Sequence, residues 1–369
     1  MTTRPSTDAG DGGADLPSWG LPVELPIEPM LAKLARSIPT SAPDGGWLFE
    51  PKWDGFRCIV ARSGDRIELF SRNRKPLARY FPELLAPLCH ALPDRVVVDG
   101  EIVVPDADGR GLDFGALQQR LHPAASRVDR LAGETPSMFI AFDVLAVGDE
   151  SLMRAPMGDR RARLLDVVVE NDAVRVTPAS TDPSQAAAWF GRFEGAGLDG
   201  VIAKPMLGIY EPGKRALVKV KHERSAECAV AGYRVHKDGN GVGSLLLGLF
   251  DEHGHLRQVG VAASFTAARR AELLAELEPR THDALIDHPW ADWIVDGPGG
   301  ASRWNADKDL SFVPIRMGLV AEVTFGQLED GRFRHGVSFQ RWRPDRDPES
   351  CTYDQLDVAD PIDVAELFI

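Results

Sequence analysis

The stretch Phe49–Arg57 constrains this chain more than any other, because it brings a lysine, two acids, a glycine and an arginine together. The amine of Lys52 can reach a phosphate, Gly55 lets the backbone pass close to a ligand, and Arg57 offers a planar fork to ribose or phosphate oxygens. A surface lysine followed by a hairpin turn at Asp54 is the alternative interpretation of the same residues. The spacing predicts a phosphate-binding site here, and the other motifs decide between the two interpretations.

The composition describes an ordinary globular protein. With 369 residues, 44% of them hydrophobic and 26% charged, the chain is long enough for two or three domains. No run is apolar enough to span a bilayer, and the N-terminus lacks a basic-then-apolar signal, so we expect a cytoplasmic protein without a membrane partner. The four cysteines form no Cys-x-x-Cys pair, which argues against a zinc site or a disulfide framework.

The charge is segregated along the chain. The net charge of −13 is unusual for a nucleic-acid-binding protein. Basic residues nevertheless outnumber acidic ones from Lys52 to Arg79, and no lysine or arginine follows Arg346. Because contacts to DNA come from local patches, a basic DNA-binding face is compatible with this sequence.

Hydrophobic periodicity predicts a mixed chain. Residues 1–20 have few apolar groups and are predicted to be disordered. Helices are predicted at 79–92, after the N-cap Asp113, and from Asp182 to the glycines at 195 and 197. Strands are predicted at 47–49, 57–61, 67–71, 96–104, 138–145, 201–204 and 217–221. Beyond a polar joint at 222–225, short strands at 228–235, 244–250, 256–261 and 319–325, with one helix at 266–277, indicate a small barrel of OB type.

Two of the predicted strands carry acids in positions suited to ligand binding. Asp99 and Glu101 lie two residues apart and therefore share one face. On the strand at 138–145, Phe142 and Asp143 face opposite sides of the sheet, so the ring and the carboxylate contact different groups. An exposed strand end and a plain core phenylalanine are the alternative interpretations.

Two later strands carry lysines. In the stretch Asp199–Lys204, Ile202 and Lys204 point the same way, which would place an apolar cover on a base and a cation towards a phosphate. Lys219 and Lys221 present two ammonium groups to one side of a strand, where a triphosphate would be neutralised. A solvated charge pair is the alternative for these two lysines.

Taken in order, these stretches resemble the motif series of the covalent nucleotidyltransferases, in particular the ATP-dependent DNA ligases. Phe49–Arg57 is similar to the first motif of that series, Ser71-Arg72-Asn73 to the second, and the segment from Arg341 to Arg346 to the last. The resemblance extends from Pro26 to Pro348. It is strongest with the compact stand-alone C-type ligases of actinobacteria.

The resemblance implies a role for each matched residue. Lys52 is the expected nucleophile, which forms a lysyl-AMP phosphoramidate with release of pyrophosphate. Asp199 and Glu101 are the expected ligands of Mg²⁺, or of Mn²⁺ in its place. Aspartate at 199 replaces the usual glutamate, and arginine at 346 replaces the usual lysine. The expected ATP-binding residues are Glu50, Arg57, Arg72, Glu101, Phe142, Ile202, Lys204, Lys219, Lys221, Arg343 and Arg346.

The resemblance also implies the architecture and the partners. We expect an α+β fold, with a tail at 1–20, an adenylation domain at 21–223 and an OB-fold β-barrel at 224–369. The first domain would be a nucleotidyltransferase (ATP-grasp-like ligase) domain with antiparallel sheets and helices. ATP and nicked double-stranded DNA are the expected partners of a monomer associated with the nucleoid, with repair proteins as further partners. DNA repair, recombination and replication are the implied processes.

Two other functions are compatible with parts of the pattern. An RNA ligase or a GTP-using capping enzyme shares the first motif, and labelling with ATP against GTP would separate these enzymes. A non-catalytic nucleic-acid-binding protein is the alternative of another class. Lys52 and the pair Lys219 and Lys221 argue against that alternative.

Overall fold

The computed structural model describes residues 19–41, 43–107, 109, 111–121, 124–192, 198–221, 224–291, 311–326, 328–329, 331–334 and 337–356. This part of the chain separates into two compact units, one ending at Lys219 and the other beginning at Val220. The predicted tail lies outside the described residues up to position 18. Trp19 is ordered, since its ring packs edge-on against Phe70 and lies beneath the guanidinium of Arg66. The disorder predicted for 1–20 is therefore wrong at Trp19.

The N-terminal unit contains a six-stranded sheet in which β-branched runs form the central strands. Its strands pair in the order β4-β3-β5-β6-β7, and the short β8 lies parallel to β6. Strands β3 to β6 were predicted from the sequence, whereas β7 and β8 are too short to give a periodic pattern. The strands are β3 Phe56–Ser63, β4 Arg66–Ser71, β5 Arg95–Val103, β6 Met138–Val147, β7 Glu150–Ser151 and β8 Val174–Val176.

A second, four-stranded sheet brings distant motifs of the same unit together. Its strands are β1 Leu31–Ala35, β2 Trp47–Pro51, β9 Gly200–Pro205 and β10 Arg215–Lys221. They lie in the order β1-β10-β9-β2. Strands β2 and β9 are antiparallel, so that Glu50 is opposite Ile202 and Leu48 is opposite Lys204.

The hydrophobic core of this unit occupies both faces of the larger sheet. Ile59 and Val97 of the larger sheet share a buried cluster with Leu217 of the smaller one, so the two sheets pack against each other. The other face of the larger sheet is covered by helix α1, Pro82–Ala91, through Leu84 and Leu88. The side chains that lie between the two sheets are thereby removed from water.

The described part of the unit also contains the helices α2 Phe114–Gln119, α3 Ala125–Glu134, α4 Met157–Val167 and α5 Pro183–Arg192. The predicted cap of α2 is confirmed, because the Asp113 carboxylate accepts from the Ala116 N–H at 2.7 Å. The glycines predicted to end α5 lie outside the described residues. Helices α3 and α4 were not predicted from the sequence.

The described part of the C-terminal unit contains a six-stranded antiparallel sheet and the helix α6, Ala267–Leu277. The helix begins at the N-cap Thr266, whose hydroxyl accepts from the Arg269 N–H. The strands are β11 Arg224–Val235, β12 Val242–Phe250, β13 Leu256–Ala262, β14 Val313–Pro314, β15 Val320–Phe325, β16 Leu328–Glu329, β17 Arg332–Phe333 and β18 Ser338–Trp342. They pair in the order β13-β12-β11-β15-β18, with β14 beside β11, while β16 and β17 form a separate hairpin.

Helix α6 closes the core of this unit. Leu273 and Leu277 pack in one buried cluster with Leu245 and Leu247 of β12 and Val259 of β13. The predicted joint at 222–225 falls partly outside the described residues. Within the part of the chain that the structure describes, no helix is long and apolar enough to cross a membrane.

Candidate active site

Lys52 follows the last residue of β2, and its backbone continues the pairing with β9. The Lys52 N–H donates to the Gly200 carbonyl at 2.8 Å, and the Asp199 N–H donates to the Lys52 carbonyl at 3.0 Å. The side chains also meet, since Lys52 Nζ lies 2.6 Å from Asp199 Oδ2. Lys52 is 18% exposed and Asp199 only 5%, so the ammonium can be reached from solvent while its partner is buried. The predicted nucleophile and a predicted metal ligand are therefore adjacent.

Gly55 is required by the packing of two backbone segments. A Cβ atom at Gly55 would lie 2.1 Å from the Ile102 carbonyl oxygen and 3.0 Å from Glu101 Cγ. No other residue fits there unless the backbone of β5 moves. The glycine therefore permits a close crossing of two backbone segments, and its predicted closeness to a ligand stays a prediction.

Arg57 is held by a buried acid. Its Nε and Nη2 each donate to one Asp99 carboxylate oxygen at 2.6 Å. The Tyr210 hydroxyl donates to the same carboxylate at 2.7 Å and accepts from the Met30 N–H at 3.1 Å. Burial alone would lower the pKa of Arg57, but the Asp99 carboxylate raises it overall. The fork that was predicted to bind ribose or phosphate is thus engaged by Asp99.

Lys204 pairs with a buried acid. Its ammonium lies 2.7 Å from Glu50 Oε2 and donates to the Phe142 carbonyl at 3.0 Å. Lys204 is 3% exposed and Glu50 2%, so both members of the pair are buried, and the role of Lys204 in binding ATP stays a prediction. Burial raises the pKa of Glu50, against the opposing effect of Lys204 and Arg161.

One oxygen of Glu50 remains unsatisfied. Arg161 Nη1 is 3.9 Å from Glu50 Oε1, beyond hydrogen-bond distance. Both atoms are buried, and neither has a hydrogen-bond partner in the described structure. Arg161 is fixed from its other end, because its Nη2 donates to the Thr177 carbonyl at 2.6 Å. Buried polar groups without partners are uncommon, and a bound ligand is one way to satisfy them.

Glu101 lies on β5, directly opposite Arg57 in the ladder with β3. Burial raises the pKa of Glu101 to about 7, although the positive charges of Arg57 and Lys52 oppose the shift. The negative charges of Asp54 and Asp99 add to the increase. Glu101 is therefore within electrostatic range of the candidate nucleophile.

The aromatic ring of Phe142 is 8% exposed and contacts two cations. The Arg57 guanidinium carbon lies 4.4 Å from the ring centroid, and Lys204 Nζ lies 4.8 Å from it. Cations over an aromatic face are attracted by its quadrupole. Ile202 is half-buried and opposite Glu50, so it belongs to the same neighbourhood.

A second buried acid–arginine pair was not predicted from the sequence. Arg160 is fully buried on α4, and its Nε and Nη2 donate to Asp143 at 2.7 and 2.9 Å. Asp143 is directly opposite Asp99 in the ladder of β5 and β6. The buried residues of α4 include Met157, Arg160 and Leu164 at helical spacing. A hydrophobic periodicity that counts arginine as polar does not reveal the buried face of α4. For this reason Arg160 and Arg161 were not predicted from the sequence.

The remaining predicted cations of the N-terminal motifs are less buried. Arg72 is exposed in the turn after β4. Because Ser71 is opposite Cys58, this turn lies at the end of the sheet where β3 begins. Lys219 and Lys221 are half-buried, two residues apart on β10.

Arg343 and Arg346 belong to the C-terminal unit, where carboxylates engage both. Arg343 donates to the two Asp345 oxygens at 2.9 and 2.7 Å and also contacts Glu227. Arg346 Nε lies 2.7 Å from the other Glu227 oxygen. The hydrogen bond from Arg343 lowers the pKa of Asp345 to about 2.

Comparison with known proteins identifies both parts of the chain. A family model described as ATP dependent DNA ligase domain matches residues 29–221. A second, described as ATP dependent DNA ligase C terminal region, matches residues 238–346. The chain is 53% identical over 350 residues to DNA ligase C of Mycobacterium tuberculosis, covering 91% of this chain and 95% of that protein.

Further relatives agree. DNA ligase C2 of Mycolicibacterium smegmatis is 52% identical over 348 residues, covering 91% of this chain and 96% of that protein. A solved structure from a study of Lig E DNA ligases is 17% identical, with a TM-score of 0.53, covering 85% of this chain and 99% of that chain. At that identity the likeness supports the fold alone. From the two matching family models and these relatives, the chain belongs to the ATP-dependent DNA ligase family.

Proposed function

We propose that this protein is an ATP-dependent DNA ligase that seals nicks between a 5′-phosphate and a 3′-hydroxyl through lysyl-AMP formed on Lys52. The observation that carries the proposal is the 2.6 Å contact between Lys52 Nζ and Asp199 Oδ2, in a chain of the ligase family. A nucleophilic lysine must be held in place and must be reached by its substrate. The contact with the buried Asp199 holds the partly exposed Lys52 in place.

The first step transfers AMP to the protein. The Lys52 amine attacks the α-phosphorus of ATP, an N–P bond forms, and the bond to pyrophosphate breaks. The Lys52 ammonium must lose a proton to solvent beforehand, because only the neutral amine has the lone pair that attacks phosphorus. AMP then passes to the 5′-phosphate of the nick, where the 3′-hydroxyl displaces it and seals the strand.

We infer that adenine binds beside Phe142 and Ile202, with Glu50 at its edge. The unsatisfied Glu50 Oε1 supports this placement, because a carboxylate oxygen accepts a hydrogen bond from the amino group of adenine. Guanine carries a carbonyl at that position, which would leave two acceptors facing each other. The pocket would therefore favour ATP over GTP.

Asp199 and Glu101 would hold the divalent metal ion. Carboxylate oxygens suit Mg²⁺ and Mn²⁺, and the half-buried Glu101 faces Arg57 across the ladder of β5 and β3. Among the described residues, no three acids, histidines or cysteines lie together as a metal-binding group. Phosphate oxygens and water would therefore complete the shell. When bound, such an ion neutralises charge on the phosphates.

Other assignments rest on the ligase motifs. We propose that Arg72, Lys219 and Lys221 contact the phosphates, and that Arg343 and Arg346 contact the leaving pyrophosphate. We also propose that 224–369 is an OB-fold domain, supported by its short antiparallel strands and single helix. The enzyme would act as a monomer on nicked chromosomal DNA during repair.

Sealing of a defined nicked duplex tests the proposal. The purified protein is incubated with a labelled nick and either ATP or GTP, and the product is resolved on a denaturing gel. We expect sealed DNA and a covalently labelled protein with ATP only. A matched nick in RNA separates a DNA ligase from an RNA ligase.

The other candidate functions give different results. GTP labelling without sealing would indicate a capping-type enzyme. Binding of the nick without labelling by either nucleotide would indicate a non-catalytic binding protein, and would overturn the proposal.

A further inference from the structure

Two glutamates lie directly opposite each other on neighbouring strands of the C-terminal unit. Glu227 of β11 and Glu322 of β15 are ladder partners. Their side chains are only 19% and 23% exposed. Like charges in this position repel each other and destabilise a sheet. This acidic pair therefore needs positive charge close by.

Three arginines from β18 and the turn after it supply that charge. Arg341 Nη2 lies 2.8 Å from Glu322 Oε2, and Arg343 Nη1 lies 3.4 Å from the same oxygen. Arg343 also contacts one oxygen of Glu227, while Arg346 Nε lies 2.7 Å from the other. Glu227 is thus shared between two arginines.

The backbone of Glu227 is fixed independently of these ion pairs. Its N–H donates to Gln355 Oε1 at 2.7 Å, and its carbonyl accepts from Gln355 Nε2 at 3.0 Å. The Cα position of Glu227 therefore does not depend on the arginines. Glu227, Glu322 and Asp345 together balance the charges of the three arginines.

We propose that the acidic pair, Glu227 and Glu322, competes with pyrophosphate for Arg343 and Arg346. This inference rests on the proposed function, in which these arginines contact the leaving pyrophosphate. The acidic pair holds the arginines in position before ATP binds. It takes them back as pyrophosphate leaves, because the uncovered carboxylates otherwise repel each other. Both glutamates are positioning residues that weaken the binding of pyrophosphate and so promote its release.

The test measures how strongly pyrophosphate reverses adenylylation of the full-length protein. Glu227→Gln keeps the shape of the side chain and removes its charge. We expect the pyrophosphate concentration for half-maximal release of AMP from the labelled protein to fall by roughly fivefold, which is what the loss of one partly exposed ion pair gives. The KM for ATP should fall as well. In Glu227→Asp, both the KM for ATP and the half-maximal pyrophosphate concentration should be close to those of the wild type.

The matched control is Glu272→Gln on α6. It removes a carboxylate from an exposed ion pair with Arg269 at 3.0 Å, in which none of the three arginines takes part. We expect no change in the pyrophosphate response of this variant. Glu322→Gln provides a second test if Glu227→Gln does not fold, and should shift the response in the same direction.

Other results would contradict the inference or the proposed function. An unchanged or weaker response to pyrophosphate in the folded glutamine variants overturns the inference, because a structural ion pair would weaken the site when broken. Arg343→Ala tests the proposed function separately. If it self-adenylylates like the wild type, the assignment of pyrophosphate contacts fails, whereas lost labelling with an unchanged response in Glu227→Gln overturns the inference alone.

Discussion

The Lys52 ammonium and the Asp199 carboxylate are in contact, 2.6 Å apart, where Lys52 follows β2 and Asp199 precedes β9. An ammonium is not a nucleophile, so the proton must leave Lys52 before it attacks ATP. A metal ion that binds Asp199 would compete with Lys52 for the carboxylate. The contact therefore couples the expected nucleophile, Lys52, to an expected metal ligand, Asp199.

Replacing Lys52 by alanine should abolish self-adenylylation. The N–P bond cannot form at this position without the Lys52 amine, which lies 2.6 Å from Asp199. Sealing of a nick that is already adenylylated should survive in part, because that step needs no lysine nucleophile. Labelling with radioactive ATP and sealing of pre-adenylylated DNA measure the two steps separately. Robust labelling of the alanine variant would contradict the assignment of Lys52.

Substitutions at Asp199 should separate metal binding from other roles. Asp199→Glu should retain sealing, whereas Asp199→Ala should lose more than about tenfold, as other changes around metal sites do. Aspartate is one methylene shorter than the glutamate of the motif, and Mg²⁺ requires tight octahedral geometry. We therefore expect activity with Mn²⁺ at least equal to that with Mg²⁺.

A metal titration of nick sealing for the wild type and both Asp199 variants checks this expectation. The wild type serves as the reference at each metal concentration. If the alanine variant keeps full activity at low metal, Asp199 is not a ligand, and Glu101 is the principal carboxylate.

The buried Glu101 should make the stability of the protein depend on pH. Its pKa is raised from its ordinary value to about 7, so the folded state favours the protonated form. The contribution of Glu101 to the free energy of unfolding is fully present below the pKa that this carboxyl has in the unfolded chain. It is lost as the pH rises through 7. Relative to Glu101→Gln, the wild type should lose about 1–2 kcal/mol in free energy of unfolding between about pH 5.5 and pH 8.

Urea unfolding of both proteins at the two pH values measures this difference. The glutamine variant is the matched control, since it keeps the shape of the side chain and does not titrate. A constant difference between the two proteins across this range would show that Glu101 titrates normally.

The pair Arg160 and Asp143 should be strongly coupled. Removing one partner leaves the other charged and buried, which costs about 3–5 kcal/mol, whereas removing both with apolar residues is often nearly neutral. Arg160→Met should therefore destabilise the protein by about 3–5 kcal/mol. The double variant with Asp143→Leu should recover most of that loss.

A double-mutant cycle measured by urea unfolding reports the coupling energy. The exposed pair Arg163 and Asp166, with its contact at 2.6 Å, offers a matched comparison that should show little coupling. Additive effects of the Arg160 and Asp143 substitutions would show that the buried pair is not coupled.

Local patterns in the sequence located the central features of the first unit. The runs of β-branched residues predicted β5 and β6, and Asp113 predicted the start of α2. Such features depend on neighbours within a few residues, so periodicity and capping reveal them. The motif around Lys52 is equally local, which is why the sequence alone indicated phosphate chemistry at that point.

The partners of the charged side chains were decided only by tertiary structure. Lys204 pairs with Glu50, and Arg160 on an unpredicted helix pairs with Asp143. The opposition of Glu227 and Glu322 depends on the register of strands that are distant in the chain. Sequence spacing shows which charges a strand carries but not which opposite charge reaches them. That choice depends on burial, because a charge removed from water must find its counter-ion wherever the fold places one.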